Sequence, residues 1–144
     1  MPKFPAQIDG TEADGYTVTF RDIPEAITQG NTLDEAKVNA VDALITAMDF
    51  YFEDGRPAPT PSKAQQSDVL VALPPSVAAK VLLLNEVART KMRPADLARA
   101  MNVKPQEVTR LLDLHHTTKI DALADAFRAM GFDLEVRISP HAAC

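Results

Sequence analysis

The sequence predicts an α+β protein in two parts, a small sheet-and-helix layer over residues 1–74 and an all-helical unit over residues 75–144. Three observations carry that expectation. Apolar residues alternate with period two up to Phe20, and the period changes to three and four from Thr32 onward. A proline-rich stretch, 55–68, then interrupts any apolar period. Beyond Ser76 the spacing is helical again, until one last alternating run.

Phe4, Ala6 and Ile8 alternate with polar or small residues, as do Tyr16, Val18 and Phe20 beyond Asp14-Gly15. Period-two runs flanking a Gly-containing turn predict a β-hairpin. Pro24 interrupts, and Ala26-Ile27-Thr28-Gln29 predicts a third short strand ending at Gly30. Thr32 and Glu35 then form an S/T-x-x-E capping box, which starts a helix. Leu33, Ala36, Ala40, Val41, Leu44, Met48, Tyr51 and Phe52 make its apolar stripe, with Asp34, Lys37, Asp42, Asp49 and Glu53 off it. The helix is expected to end near Asp54-Gly55. Residues 55–68 predict an extended, solvated connection. Val69–Leu73 closes the first part as a last strand, in the order βββαβ.

The second part predicts a helix over 77–91, with Val77, Val81, Leu84, Val87 and Ala88 inward. Pro94 and Pro105 suit the first positions of two short helices, to Met101 and to about Asp113. A fourth helix runs from about Ile120 to Met130 and stops at Gly131. Phe132, Leu134, Val136 and Ile138 alternate with Asp133, Glu135 and Arg137, which predicts a half-buried strand in need of a partner.

Composition narrows the function classes. At 46% hydrophobic, the 144 residues can build a packed core, so disorder is excluded. No apolar run approaches the roughly 18 residues of a membrane span, and Met1-Pro2-Lys3-Phe4-Pro5 opens no signal peptide, so a cytoplasmic protein is expected. Cys144 is the one cysteine, which excludes an intrachain disulfide. With His115, His116 and His141 it shows no metal-ligand spacing, and neither a metal nor a cofactor is expected. Charge is divided unevenly. Residues 1–73 carry 5 Lys/Arg against 12 Asp/Glu, whereas residues 74–119 carry 8 against 4. Halves of opposite balance suit two different partners.

The most specific motif is Leu97-Ala98-x-x-Met101-Asn102-Val103-x-x-x-x-Val108-x-x-Leu111. Two short helices crossing at a tight turn need a small residue at the crossing, met by Ala98, and a residue tolerant of positive φ in the turn, met by Asn102. That is a helix-turn-helix, and it predicts operator DNA as a partner. Gln106, Thr109 and Arg110 are the expected base readers, with Lys104 at the helix start, because Gln pairs with adenine and Arg with guanine in the major groove. Arg93, Thr117, Thr118 and Lys119 suit phosphates. One such unit buries too little for tight specific binding, so a homodimer on a pseudo-palindromic operator is expected. Strand 132–138, paired with its copy, is the expected dimer contact.

Several long strings resemble a known family. GYTVTFRDIPEAITQGNT over 15–32, Glu35-Ala36 and DFYFED over 49–54 resemble the N-terminal domain of HicB antitoxins. VAAKVLLLN over 77–85 and QEVTRLxxLHHxTKIDA over 106–122 are similar to the helix-turn-helix type of HicB. The resemblance implies a partial RNase H-like N-terminal domain that binds a HicA-type toxin, a small basic mRNA-cleaving ribonuclease with a double-stranded-RNA-binding fold. It also implies repression of the operon through the C-terminal domain, and a higher hetero-oligomer with toxin. An acidic half facing a basic toxin speeds their encounter, so Asp9, Glu12, Asp14, Asp22 and Glu25 are the expected toxin contacts. RNase H-like chemistry would need carboxylates converging on two metal ions, and the spacing of Asp9, Asp22, Asp49 and Asp54 shows no convergence. The expected protein is therefore not an enzyme. The alternative is a helix-turn-helix repressor with a ligand-sensing N-terminal domain and no toxin partner.

Overall fold

The computed structural model describes residues 3–140. His141 and Cys144, considered above, lie outside the described residues. Four strands, β1 (Lys3–Thr11), β2 (Gly15–Phe20), β3 (Ile27–Gly30) and β4 (Val69–Ala72), form one antiparallel sheet in the order β3-β2-β1-β4. The register pairs Ala6 with Phe20, Ile8 with Val18, Phe4 with Val71 and Val18 with Thr28. Because side chains alternate across a strand, this gathers the predicted apolar set on one face.

Helix α1 (Leu33–Glu53) covers that face with Ala36, Ala40, Leu44, Ala47 and Met48, all buried. Thr32 Oγ1 accepts from the Glu35 amide at 3.1 Å, half of the expected capping box. Two glycines permit close approach. At Gly10 (φ +132°) a Cβ would lie 2.0 Å from the Gly15 carbonyl oxygen, and at Gly30 it would lie 2.5 Å from the Ala36 nitrogen. Gly30 is thus what lets the first turn of α1 rest directly on β3.

The connection 55–68 is extended, as expected, but it is strapped down rather than merely solvated. Ala58 is buried and its amide donates to Asn85 Oδ1 at 2.8 Å. Ser62 donates through its amide and hydroxyl to Asp22, at 2.9 and 3.0 Å. Asp68 accepts from Arg21 Nη2 at 2.5 Å, Gln7 Nε2 at 3.0 Å and the Gln65 amide at 2.7 Å. Those bonds, Arg21 foremost, hold the Asp68 carboxyl well below the usual carboxylate range.

Four helices follow: α2 (Pro75–Thr90), α3 (Pro94–Met101), α4 (Pro105–Leu111) and α5 (Ile120–Ala129). The core is not divided where the composition changes. Val77, Ala78, Val81 and Leu84 of α2, with Leu114, complete the cluster that begins in the sheet and α1. The opposite side of α2 contributes Leu83 to a second cluster with Leu111, Leu123, Ala126 and Phe127. A third holds Leu97, Ala98 and Val108 between α3 and α4. Gly131 (φ +90°) ends α5 as its position predicts. Among the described residues no helix is long and apolar enough to cross a membrane.

The expected strand over 132–138 does not form. Residues 132–140 carry no strand pairing, and Val136 and Ile138 are 72% and 95% exposed. Only Leu134 rests against a core cluster. A strand exists through its ladder partner, and among the described residues the alternating run has none.

Candidate functional site

The motif 97–111 folds as two short helices joined through Asn102, Val103 and Lys104. Asn102 takes φ 56°, ψ 48°, the left-handed conformation expected of it, and caps α3 through bonds from its amide to Ala98 and Arg99 carbonyls. Ala98 is buried at the α3–α4 contact, where Leu97 and Val108 are fully enclosed. Both helices begin with proline at the first turn, where a missing amide costs nothing. Lys91, at φ 55°, is a second left-handed residue that composition did not single out; it ends α2 and turns the chain toward α3.

With Val108 and Leu111 inward, Lys104, Gln106, Thr109 and Arg110 are exposed together on the outer side of α4. Thr109 Oγ1 donates to the Pro105 carbonyl at 3.2 Å, so its hydroxyl is engaged by its own helix. Among the described residues neither Lys104 nor Arg110 forms an ion pair. Arg93 caps α3 and pairs with Asp96 (3.2 Å), which also meets Arg99 at 3.6 Å. Arg93 holds the Asp96 carboxyl below its ordinary value. Thr117 and Lys119 are exposed beside the start of α5. Thr118 is different: the residue is half-buried and its hydroxyl oxygen is buried without a hydrogen-bond partner.

The position of α4 rests on a residue that sequence reasoning missed. Lys80 lies on α2 within an apolar stretch and is 1% exposed. Its ammonium donates to the carbonyls of Arg110 at 3.0 Å, Asp113 at 2.9 Å and His116. All three ammonium donors are thereby used on the C-terminal end of α4 and the loop after it, where the Arg110 and Asp113 carbonyls also accept from the Asp113 and His116 amides. Burial pushes the Lys80 ammonium below its ordinary pKa, and Asp113 opposes that shift. The same loop is tied to the first part of the chain by His115, whose Nε2 lies 2.6 Å from Asp49 Oδ2 on α1. That bond, with the charges of Asp49, Asp113 and Asp42, raises the His115 pKa above its ordinary value.

The five acidic residues expected to meet a partner do not form one patch. Asp9, Glu12 and Asp14 lie exposed at the hairpin tip, where the Asp14 amide donates to Thr11 Oγ1 at 3.2 Å. Asp22 and Glu25 lie beyond the far end of β2, about 20 Å away at ~3.3 Å per strand residue. Asp22 is occupied by Ser62, and Glu25 accepts from Tyr51 Oη at 2.7 Å. Burial, and then that bond to Glu25, raise the Tyr51 phenol above its ordinary range. Among the described residues no three His, Cys, Asp or Glu side chains come together as a metal site.

Comparison with known proteins gives a consistent result. Residues 3–82 match a family model described as a HicB-like antitoxin of bacterial toxin–antitoxin systems. The matched segment ends inside α2, whose Val77, Ala78 and Val81 complete the first core. Antitoxin HicB 2 of Photorhabdus laumondii is 48% identical over 134 residues, 93% of this chain and 94% of its own. Antitoxin HicB of Escherichia coli is 46% identical over 134 residues, 93% of this chain and 97% of its own. Antitoxin HicB of Pseudomonas fluorescens is 39% identical over 111 residues, 76% of each chain.

Proposed function

The chain belongs to the HicB-like antitoxin family, and from that premise we propose that it neutralises a HicA-type mRNA-cleaving toxin and represses its own operon. In this reading residues 1–74 are the toxin-binding part, a partial RNase H-like layer, and residues 75–144 are the DNA-binding and dimerisation part. The protein acts by binding rather than by catalysis.

The observation that carries the DNA half is the outer side of α4. Lys104, Gln106 and Arg110 are exposed there on a helix whose opposite side is locked by Val108 and Leu111. A rigid helix with free Gln and Arg side chains is what major-groove readout requires. Arg93, Thr117, Thr118 and Lys119 flank it as phosphate contacts. Fluorescence anisotropy on the DNA upstream of the gene tests this directly. Arg110→Ala is expected to lose about 1–3 kcal/mol of specific binding, roughly 5- to 150-fold. An unchanged affinity removes Arg110 from the readers.

Dimerisation is assigned to the unpaired run 132–138, whose Val136 and Ile138 stand in solvent in a single chain. Pairing with its copy would give the alternating residues the ladder they lack. A chain cut after Gly131 should be monomeric by light scattering; a dimer of undiminished strength places the contact elsewhere.

A further inference from the structure

Helix α1 covers one face of the sheet, and one flank of it runs along β3, which is an edge strand. Beside that strand the outer flank of the helix is left uncovered. A groove of about 300 Å³ lies there, between Ile27 and Thr28 of β3 and a flank of α1 that runs from Asn39 through Ala43 to Phe50. At ~1.5 Å per helical residue that flank is about 16 Å long, the length of roughly five strand residues. Two of its large apolar side chains are open to solvent, Ile27 at 64% and Phe50 at 55%.

The edge itself is unfinished. The Gln29 carbonyl is met by Asn39 Nδ2 at 2.8 Å rather than by another strand. β3 carries no proline, lysine or arginine of the kind that blunts exposed edges. The charged residues lining the groove are both acidic, Glu25 and Asp42. They belong to a segment, residues 1–73, with 5 Lys/Arg against 12 Asp/Glu.

We propose that this groove is the docking surface for the toxin, which adds an extended strand to the β3 edge beneath α1. The inference rests on the antitoxin reading and gives its partner a place. The added strand presents an apolar side chain to Ala43 and Phe50, and a Lys or Arg to Glu25 and Asp42. Main-chain pairing supplies affinity, while the alternate side chains supply specificity. The exposed run 132–138 of a second copy is the competing occupant; it carries Asp133 and Glu135 against Arg137 alone, so the acidic rim disfavours it.

The test uses the full-length chain and the small protein encoded beside it, with affinity measured by calorimetry. Ile27→Lys and Phe50→Lys change exposed positions, and each is expected to weaken toxin binding at least tenfold while operator affinity stays within twofold. Gln66→Lys, exposed in the connection before β4 at the opposite edge of the sheet, should leave toxin binding within twofold. Independently, amide exchange at Ile27–Gly30 in the unaltered chain should slow at least tenfold on complex formation. Toxin binding by wild type with unchanged exchange at β3 and full binding by Ile27→Lys overturns the groove and leaves the antitoxin reading standing. Absence of any binding by wild type overturns both. Loss of self-association in Ile27→Lys with toxin binding intact makes the groove an interface between copies, and also overturns the proposal.

Discussion

Replacing Lys80 by methionine isolates the buried ammonium, because methionine keeps most of the aliphatic stem and removes the charge. The wild-type ammonium makes three bonds, to the carbonyls of Arg110, Asp113 and His116. Hydrogen bonds to a charged group contribute about 1.5–3 kcal/mol each, for a gross gain of roughly 5–9 kcal/mol. Desolvating an ammonium offsets several kcal/mol of that. The net loss expected for Lys80→Met is therefore about 2–4 kcal/mol. For a chain near this length each kcal/mol moves Tm by about 2–4 °C, so differential scanning calorimetry should show a fall of roughly 4–16 °C. Operator affinity should fall as well at temperatures where the variant remains folded, since the end of α4 and its following loop lose their anchor. A Tm within about 1 °C of wild type would show that the ammonium does not hold α4.

Two other perturbations test the frame around the site. His115 is raised by its bond to Asp49, so the protonated form is favoured by folding. Its contribution is fully present below the ordinary histidine value of 6.5 and is lost as pH rises through the higher folded value. The imidazole proton shifts should titrate above 6.5 in wild type and fall back in Asp49→Asn; equal midpoints would show that the pair does not form in solution. The stability difference between the two proteins should be largest at mildly acid pH and shrink toward alkaline pH. Gly30→Ala places a Cβ 2.5 Å from the Ala36 nitrogen. Backbone of α1 must then move, and a loss of about 1–3 kcal/mol in urea unfolding is expected; wild-type stability would mean that the helix shifts freely over β3.

Much of the framework was legible because it is local. Alternation at Phe4, Ala6 and Ile8 places the strand, Thr32 starts α1, Gly55 and Gly131 end helices, and Asn102 makes the turn between α3 and α4. The outer residues of α4 followed from the same spacing, once Val108 and Leu111 were inward. The acidic set was less legible: charge counts mark a half of the chain, and they do not say that Asp22 already serves Ser62 or that Glu25 serves Tyr51.

The sequence by itself thus determined the elements, their order and the side of each that is apolar, since periodicity, caps and turn residues act within one or two helical turns. Tertiary structure alone decided what meets across long separations. Lys80 finds its carbonyls 30 to 36 positions away, and His115 finds Asp49 at 66. A lysine among apolar residues has no periodic signature that distinguishes burial from a stem lying along the surface. Whether run 132–138 becomes a strand is likewise not a property of its own alternation, because a ladder needs a second edge and among the described residues none pairs with it. The groove between α1 and β3 belongs to the same class: helix and strand are each readable alone, and only their packing leaves it open.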